Sequence, residues 1–532
     1  MVSSKDIIRH KHVRLLLVAL LITTALPAHS AETLRIGTIT IIPLDVYSSA
    51  EEQRGAIYRL ADRLHIDTRQ SVIARFLLFH EGDVYVPARL KETERNLRAL
   101  SFLKSASVTA SPAHDGKVDL TVVTQDAWSI APETQAGSSG GTTTYGARLS
   151  DTNLLGLGKE LEVGWTKGLE RRRVLFNFND PAFFAPYLRA HLGYEHNSDG
   201  YDREFSLRRP FFSFAAPWAS DAFFTSLRQN DRLYAGGEEV SQFAHSLRGF
   251  GAAFGAAIDP NDDHADRVTA GFRFLDEDFA PIPDHAGIVS SHEFRYLLLR
   301  YEHADNDFLT LNYVDKDLRF EDFDLGRSAS IEAAVSPAAF GAPATTEFVR
   351  VGGSNGFRLG SRSFVLPSVA ASTRLHSGIE NAIAEANVLW VTREGEAHPR
   401  AFVARIHFDG GWRLDPELQF FADGLSGLRG YRAHAFEGNR AVIINAEERF
   451  YLGREVLQLV SPGFVIFADA GNASSGGLAD LASLKTDVGA GLRIGLPRTP
   501  KNLLRIDLSY ALSRDPFGRR GWLVSFSSGQ AF

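Results

Sequence analysis

The chain has 532 residues, a formal net charge of −7 and no cysteine. Without cysteine it can form neither a disulfide nor a thiolate metal site. Its acidic balance argues against nucleic acid as a partner, because phosphate binding depends on clustered basic residues.

The N-terminus has the layout of a secretory signal. Four basic residues within the first 14 positions precede an apolar run at 15–26, and Ala28 and Ser30 are the small residues that a signal peptidase reads. The run is too short to span a bilayer as a permanent helix. We therefore expect residues 1–30 to be removed and the mature chain to be exported, the alternative being a retained N-terminal anchor.

The next hundred residues mix helical and strand patterns. The run from Ile36 to Ile42 is rich in β-branched residues, Pro87 suits the first turn of a helix, and residues 118–122 alternate like a strand. The order of strand, helices, strand, strand predicts a small α/β domain at 32–128. The Gly/Ser stretch at 137–141 predicts a flexible linker over 129–141.

Most segments of 142–532 alternate with a period of two. Leu504, Ile506 and Leu508, for example, alternate with Arg505 and Asp507. Strands of about ten residues with this pattern suit a membrane barrel, in which apolar side chains face lipid and polar ones face the lumen. The sequence predicts a transmembrane antiparallel β-barrel of about 16 strands at 142–532. A soluble β-protein, with its apolar faces turned inward, is an alternative.

Seven ordered motifs run through this region. They are the hairpin at 151–159, Leu428-Arg429-Gly430-Tyr431, the strand at 445–450 that contains Glu447, the strand from Phe467 through Asp469 to Gly471, the glycine-rich strand at 487–496, the R-x-D strand at 504–509, and the C-terminal stretch 524–532 that ends on Phe532. In this order they resemble the motifs of the BamA/TamA-like outer-membrane assembly proteins, the bacterial surface-antigen barrels. The resemblance covers most of the chain.

The resemblance implies a role for the second motif. Arg429 would lie at the tip of a long loop folded into the lumen, with Asp469 and Glu447 as its partners. A guanidinium is always charged and its rigid fork fits a carboxylate, so an arginine inside a lumen needs such partners. The alternative is an exposed hairpin tip with an unpaired arginine.

The same resemblance extends to both ends of the mature chain. Residues 81–85 and 95–97 look like parts of the family's polypeptide-transport-associated (POTRA) domain, although the stretch Val46 to His65 is longer than usual and is expected to add a helix. At the C-terminus, Trp522, Phe526 and Phe532 share one parity and are expected to be the signal by which the barrel itself is assembled.

By resemblance, the protein inserts or exports unfolded polypeptides at the bacterial outer membrane, with its POTRA-like domain in the periplasm. A lateral seam between a first strand near 145–149 and a last strand near 522–526 would template client strands. Expected partners are outer-membrane lipid, unfolded outer-membrane or exported polypeptides, and periplasmic accessory proteins. The alternatives are a passive porin-like channel and a two-partner-secretion-type transporter.

Motifs for catalysis and metal binding are weak. Residues 352–356 satisfy the G-x-S-x-G pattern of a hydrolase, but Asn355-Gly356 is a strong hairpin-turn signal. The histidines show none of the paired spacings of metal ligands. We therefore expect no enzyme activity, cofactor or metal.

Overall fold

A computed structural model describes residues 33–47, 66–283, 285, 290–457, 459–499 and 503–532. The predicted signal peptide at 1–30 lies outside these residues, as does the predicted extra helix between Val46 and His65 apart from its first two positions. Among the described residues, no helix is long and apolar enough to cross a membrane.

The N-terminal domain is a three-stranded sheet with two helices. Its elements are β1 (Arg35–Leu44), α1 (Gln70–Ala74), α2 (Pro87–Arg98), β2 (Leu103–Ala110) and β3 (Lys117–Asp126). The sheet order is β1-β3-β2, with β1 parallel and β2 antiparallel to β3.

Simple sequence signals account for this domain. Pro87 opens α2, where its fixed φ suits the first turn, and Leu90 and Leu97 are buried along one face of the helix. Alternate residues of β3 are buried, which is the period of a half-covered strand. The element order is the one predicted, whereas the identification as a POTRA domain stays a prediction.

The rest of the chain forms a closed antiparallel barrel. Within the described residues it has twenty strands, since β17 (Thr346–Ser354) and β18 (Phe357–Gly360) are two parts of one strand that both pair with β19 (Ser363–Leu375). In chain order the strands are β4 Ile130–Ser139, β5 Thr142–Asp151, β6 Glu160–Lys167, β7 Arg172–Asp180, β8 Arg189–Asn197, β9 Gly200–Arg209, β10 Trp218–Ala235, β11 Glu238–Ile258, β12 His264–Pro281, β13 Ser290–Asp305, β16 Ser328–Ser336, β17 Thr346–Ser354, β18 Phe357–Gly360, β19 Ser363–Leu375, β20 Ile379–Glu394, β21 Arg400–Trp412, β24 Arg440–Tyr451, β25 Ser461–Ser474, β26 Lys485–Gly495, β27 Leu503–Ala511 and β28 Trp522–Ser528.

Other short elements lie in the connections. They are the hairpin strands β14 Phe308–Asn312 and β15 Phe320–Asp324, the strands β22 Phe420–Phe421 and β23 Glu437–Gly438, the helix α3 Leu478–Leu481, and 3-10 turns at Leu154–Gly156 and Ala338–Phe340.

Two predictions about the barrel were wrong. The count of about 16 strands was too low, because β4 to β9 occupy only residues 130–209 and are joined by short turns. The predicted linker at 129–141 is the strand β4 and its turn, because all of its residues from Ile130 to Ser139 pair with β5. The barrel therefore begins at Ile130 and not at 142.

The outer surface of the barrel is apolar. On β13, Leu297, Leu299 and Tyr301 are 45%, 57% and 40% exposed, and the even-numbered residues of β27 from Leu504 to Leu508 are exposed as well. The alternate residues of β27, Asp507 and Ser509, are fully buried inside. This distribution is that of a membrane barrel and the reverse of a soluble sandwich.

A first prediction concerns where the protein is found. Because closure satisfies the backbone hydrogen bonds and the outer surface needs lipid, we expect the mature protein to fractionate with the outer membrane. Its gel mobility in mild detergent should change on heating, as the barrel unfolds. Recovery of the protein in a detergent-free periplasmic extract would contradict this prediction.

Candidate functional site: the lumen loop, the seam and the domain end

The connection between β21 and β24 folds back into the barrel. We call residues 413–439 the lumen loop; it leaves from the outer end of the barrel, the end opposite the N-terminal domain. Asp423 fixes one turn of the lumen loop, since its carboxylate accepts hydrogen bonds from the backbone N–H groups of Leu425 (2.9 Å), Ser426 (2.8 Å) and His434 (2.5 Å). Leu428 is fully buried at the inner wall.

Arg429 is held by two carboxylates on the barrel wall. Its Nε and Nη2 atoms each donate to Asp469 at 2.8 Å, which is a bidentate pair, and Nη1 donates to Glu447. The guanidinium also stacks 3.4 Å from the centre of the Phe467 ring. Only 3% of the Arg429 side chain is exposed, and both carboxylates are fully buried. The exposed-hairpin alternative therefore does not describe this structure.

Glu447 is the centre of a larger network. Besides Arg429 it accepts hydrogen bonds from Arg449 Nε at 2.7 Å and from Arg493 Nη2 at 3.3 Å. Arg493 also donates to Asp507 at 2.6 Å. Such pairs satisfy the charges of groups that would be very unfavourable alone in a buried position.

Backbone contacts lock the lumen loop against the same wall. Ser509 donates its hydroxyl to the carbonyl oxygen of Arg429 at 2.7 Å, and Tyr431 donates to that of Thr486 at 2.9 Å. A Cβ atom at Gly430 would lie 2.5 Å from the Cβ atom of Asp487, so only glycine permits this approach. The Arg-Gly-Tyr order therefore has a direct steric explanation.

The network continues to the other end of the barrel. Arg449 donates to the carbonyl oxygen of Val314 at 2.7 Å. Val314 lies in the turn of the β14–β15 hairpin, which extends from the end of the barrel next to the N-terminal domain, hereafter the domain end. Buried polar contacts thus connect the lumen loop, through Glu447, to the domain end.

The barrel closes weakly where its first and last strands meet. The strands β28 and β4 share one registered residue pair, Phe526 with Ser138, whereas β27 and β28 share seven and β4 and β5 share ten. One reason is that β28 ends at Ser528. The chain then turns at Gly529, where φ is +80°. We call this junction the seam.

The C-terminal aromatic residues do not share one face. Trp522 is 67% exposed on the lipid side, and Phe526 stands on the same parity in β28 at the seam. Phe532 has left the strand and lies inside, its ring 5.5 Å from the guanidinium carbon of Arg449. Phe532 shares the parity of these two residues in the sequence but not their face, because the turn at Gly529 carries the tail inward. Its role as an assembly signal stays a prediction.

The N-terminal domain packs directly against the domain end. Tyr187 and Phe212, from two barrel turns, join the core of the domain, and the Tyr187 hydroxyl donates to the carbonyl oxygen of Phe76 at 2.5 Å. The three arginines of α2 contact barrel connections: Arg89 with Asp262 at 2.9 Å, Arg95 with Asn306 at 3.0 Å, and Arg98 with Asp322 at 2.7 and 2.9 Å. The domain and the β14–β15 hairpin together cover the domain end.

A second prediction follows from Asp317 in the turn of that hairpin. Burial raises the pKa of Asp317 to about 6. Hydrogen bonds from Ser461 and from the backbone of Leu318 lower this pKa and so offset part of the effect of burial. A raised carboxyl pKa favours the protonated folded form, so stability is present at low pH and is lost as the pH rises through about 6. We expect the amides at 306–327 to have higher protection factors at pH 4.5 than at pH 7.5, after correction for the slower intrinsic exchange of unprotected amides at the lower pH.

Asp317→Asn should remove the part of this pH dependence that Asp317 contributes and leave a second part, because burial and the nearby Asp315 raise the pKa of Glu321 in β15 to about 8. Glu321→Gln is the matched variant, which should remove that second part and keep the part that Asp317 contributes. An unchanged exchange profile in Asp317→Asn would contradict the assignment.

Sequence reasoning missed several members of the network. It did not single out Arg449, Arg493, Asp507 or Asn445, although each lies in or beside a motif that it did identify. The signal was parity: Glu447 and Arg449 occupy alternate positions of one strand, as do Arg505 and Asp507, so each pair shares a face. The predicted residues Asp469, Glu447 and Phe467 all contact Arg429, whereas Gly471 lies beside Leu428.

Comparisons with known proteins add the following. No family model and no curated protein matches the chain. Among solved structures, it is similar to CdiB from Acinetobacter baumannii (12% identity, 94% of this chain and 74% of that chain, TM-score 0.48). It is also similar to CdiB from Escherichia coli (13% identity, 93% of this chain and 76% of that chain, TM-score 0.45). A third similar structure is BamA from Haemophilus ducreyi lacking POTRA domains 1-3 (12% identity, 93% of this chain and 84% of that chain, TM-score 0.36).

The chain resembles BamA-like barrels. Identities of 12–13% and TM-scores below 0.5 do not transfer a function from those proteins to this chain.

Proposed function

We propose that the protein inserts or exports unfolded polypeptides at the bacterial outer membrane, through a barrel that opens laterally at the seam. The observation that carries this proposal is the single registered pair between β28 and β4. A strand edge with few ladder hydrogen bonds is available to pair with another chain. Opening at this place would break far fewer backbone hydrogen bonds than opening between β27 and β28.

The lumen loop supports the proposal. In a passive porin the lumen is a water-filled path. Here the lumen loop is anchored on β24 to β27 by the buried network, and the N-terminal domain covers the domain end. These features favour a gated polypeptide path over the porin alternative. In this proposal the network holds the wall beside the seam in place while the seam opens.

The N-terminal domain supplies a binding edge. Its strand β2 is at an edge of the three-stranded sheet, where Ser107, Thr109 and Ala110 are exposed and the N–H of Val108 donates to Glu94 of α2, which a client strand would displace. An unfolded client could add a strand there through backbone hydrogen bonds, before reaching the seam.

A third prediction tests the seam by locking it. The chain has no cysteine, so Ser138→Cys with Phe526→Cys introduces the only two thiols. These residues are paired across antiparallel strands, where the Cα separation is within the range of a disulfide. We expect the oxidised variant in proteoliposomes to lose its ability to fold a urea-unfolded eight-stranded outer-membrane barrel, and a reductant to restore it.

The matched control is Leu508→Cys with Val524→Cys, a pair across the fully registered β27–β28 ladder. Its disulfide should leave client folding unchanged. Equal activity of the two oxidised variants would contradict lateral opening. The two-partner-secretion alternative is distinguished by the product, because it predicts client protected outside the vesicle membrane and not integrated into it.

A further inference from the structure

One cluster of metal-ligand side chains lies outside the network. His292 is near the start of β13 at the outer end, and Asp415 and Glu417 are in the first residues of the lumen loop. His292 Nε2 is 3.4 Å from Glu417 Oε1 and 4.0 Å from Asp415 Oδ2. The three side chains are mostly buried, with 16%, 13% and 10% of their surfaces exposed. The cluster therefore joins the barrel wall to the base of the lumen loop.

The spacing of these atoms fits a bound ion. Zinc binds imidazole nitrogen and carboxylate oxygen at about 2.0–2.2 Å, so tetrahedral ligands are roughly 3.3–3.6 Å apart. The potential ligand atoms here all lie within 4.8 Å of one another, so small side-chain rotations would close them around a cation. One imidazole with two carboxylates suits a first-row divalent metal better than Ca²⁺ or Mg²⁺, which prefer oxygen ligands alone.

A second observation points to a missing partner. The Oε2 atom of Glu417 is buried, and among the described residues it has no hydrogen-bond partner. The side chain that carries it is nine-tenths buried, and its other oxygen faces His292. A buried carboxylate oxygen without a partner is unfavourable, and a cation in the cluster would relieve it.

Arg374 carries a positive charge beside the cluster, and this charge would repel a bound cation. It forms a bidentate pair with Asp415 at 2.6 and 2.7 Å, and Ser290 Oγ lies 3.2 Å from His292 Nε2. Ligating carboxylates are commonly held by a further hydrogen-bonding group, so the Arg374–Asp415 pair can orient Asp415 as a ligand. The competing arrangement is an ion pair between a protonated His292 and Glu417 without any metal.

We propose that His292, Asp415 and Glu417 bind a first-row divalent cation, with Zn²⁺ as the best-fitting ion. The bound ion ties the base of the lumen loop to β13. The binding itself stands apart from the proposed function. Only the consequence, that the ion stiffens a loop involved in polypeptide passage, rests on the proposed function.

The test uses the full-length protein in detergent, stripped with EDTA and titrated with Zn²⁺ against a chromophoric chelator. We expect one equivalent to bind, at least tenfold more weakly in His292→Ala and in Glu417→Gln. His407→Ala is the control, because this histidine contacts a single acid, Asp409 at 2.8 Å, and it should leave binding unchanged. Absence of stoichiometric binding, or equal binding in all variants, would overturn the site in favour of the ion pair.

Two further measurements keep the test decisive. Co²⁺ added to the wild-type protein should give the visible absorption of a low-symmetry site of nitrogen and oxygen ligands. This measurement does not depend on the folding of any variant. Zn²⁺ should also slow proteolysis of residues 413–439 in wild type but not in His292→Ala. Zn²⁺ binding without any change in this cleavage would overturn the tether, while client folding in the seam experiment would be unaffected.

Discussion

Arg429→Ala is expected to release the lumen loop from the barrel wall while the barrel still inserts. The substitution leaves Asp469 without its bidentate partner in a fully buried position. Removing one member of such a pair typically costs about 3–5 kcal/mol, and water entering the lumen reduces that cost. Limited proteolysis from outside should then cut residues 413–439 at least tenfold faster, and client folding should fall.

Three further variants make this prediction specific. Arg432→Ala alters an exposed arginine of the same loop and should leave protection intact. Asp469→Ala should resemble Arg429→Ala, and the double variant should be little worse than either, since coupled partners are non-additive. Arg429→Lys should recover only part of the protection, because an ammonium cannot reproduce the two parallel hydrogen bonds. Wild-type protection in both single variants, or defects that simply add, would contradict an anchoring role.

The sequence predicted the class of fold because the period of two is a local property. Along β27, apolar and polar residues alternate wherever the strand meets lipid on one side and the lumen on the other. The strand count is different in nature, since it depends on where turns interrupt the pattern. The residues 130–139 lack a regular alternation and end in Gly140-Gly141, so they looked like a linker, although backbone pairing with β5 makes them a strand.

The site was predictable only in part for a similar reason. The motif around Arg429 indicated a charged loop tip and the motif around Asp469 its partner, and the two meet in the structure. The parity of Asp469 with Val465 and Phe467 could not place it from sequence. All three are buried and face inward, and Arg429 of the lumen loop contacts Phe467 and Asp469. The metal-ligand cluster was not visible at all, since 122 residues of sequence separate His292 from Asp415 and nothing in the chain shows that they meet.

The docking of the N-terminal domain also depends on contacts distant in sequence. Arg98 and Asp322 are 224 residues apart, and the β14–β15 hairpin that carries Asp322 was not predicted. A hairpin of two five-residue strands gives too short a pattern to distinguish from neighbouring barrel strands. Its position under the barrel is nevertheless what connects the domain, through Val314 and Arg449, to Glu447.

Glu447→Gln is expected to be the most damaging single substitution in the network. Glu447 is the carboxylate shared by Arg429, Arg449 and Arg493, and a neutral amide there leaves an excess of buried positive charge. Arg429 keeps Asp469 and Arg493 keeps Asp507. Among the described residues, Arg449 keeps as polar partners the carbonyl oxygen of Val314 and the exposed Asp315, whose carboxylate is 3.5 Å away.

We therefore expect a loss of about 3–5 kcal/mol, concentrated where β24 meets the β14–β15 hairpin. The temperature at which the folded gel band disappears in detergent should fall by several degrees, more than in Asp469→Asn. Hydrogen exchange should accelerate both in the lumen loop and at residues 306–327, because Glu447 connects the two. The control is Glu448→Gln, the next residue on the same strand, whose side chain faces the other side of the wall 4.0 Å from Arg400. If Glu447→Gln and Glu448→Gln unfold at the same temperature, or if only the lumen loop loosens, Glu447 does not link the two ends of the barrel.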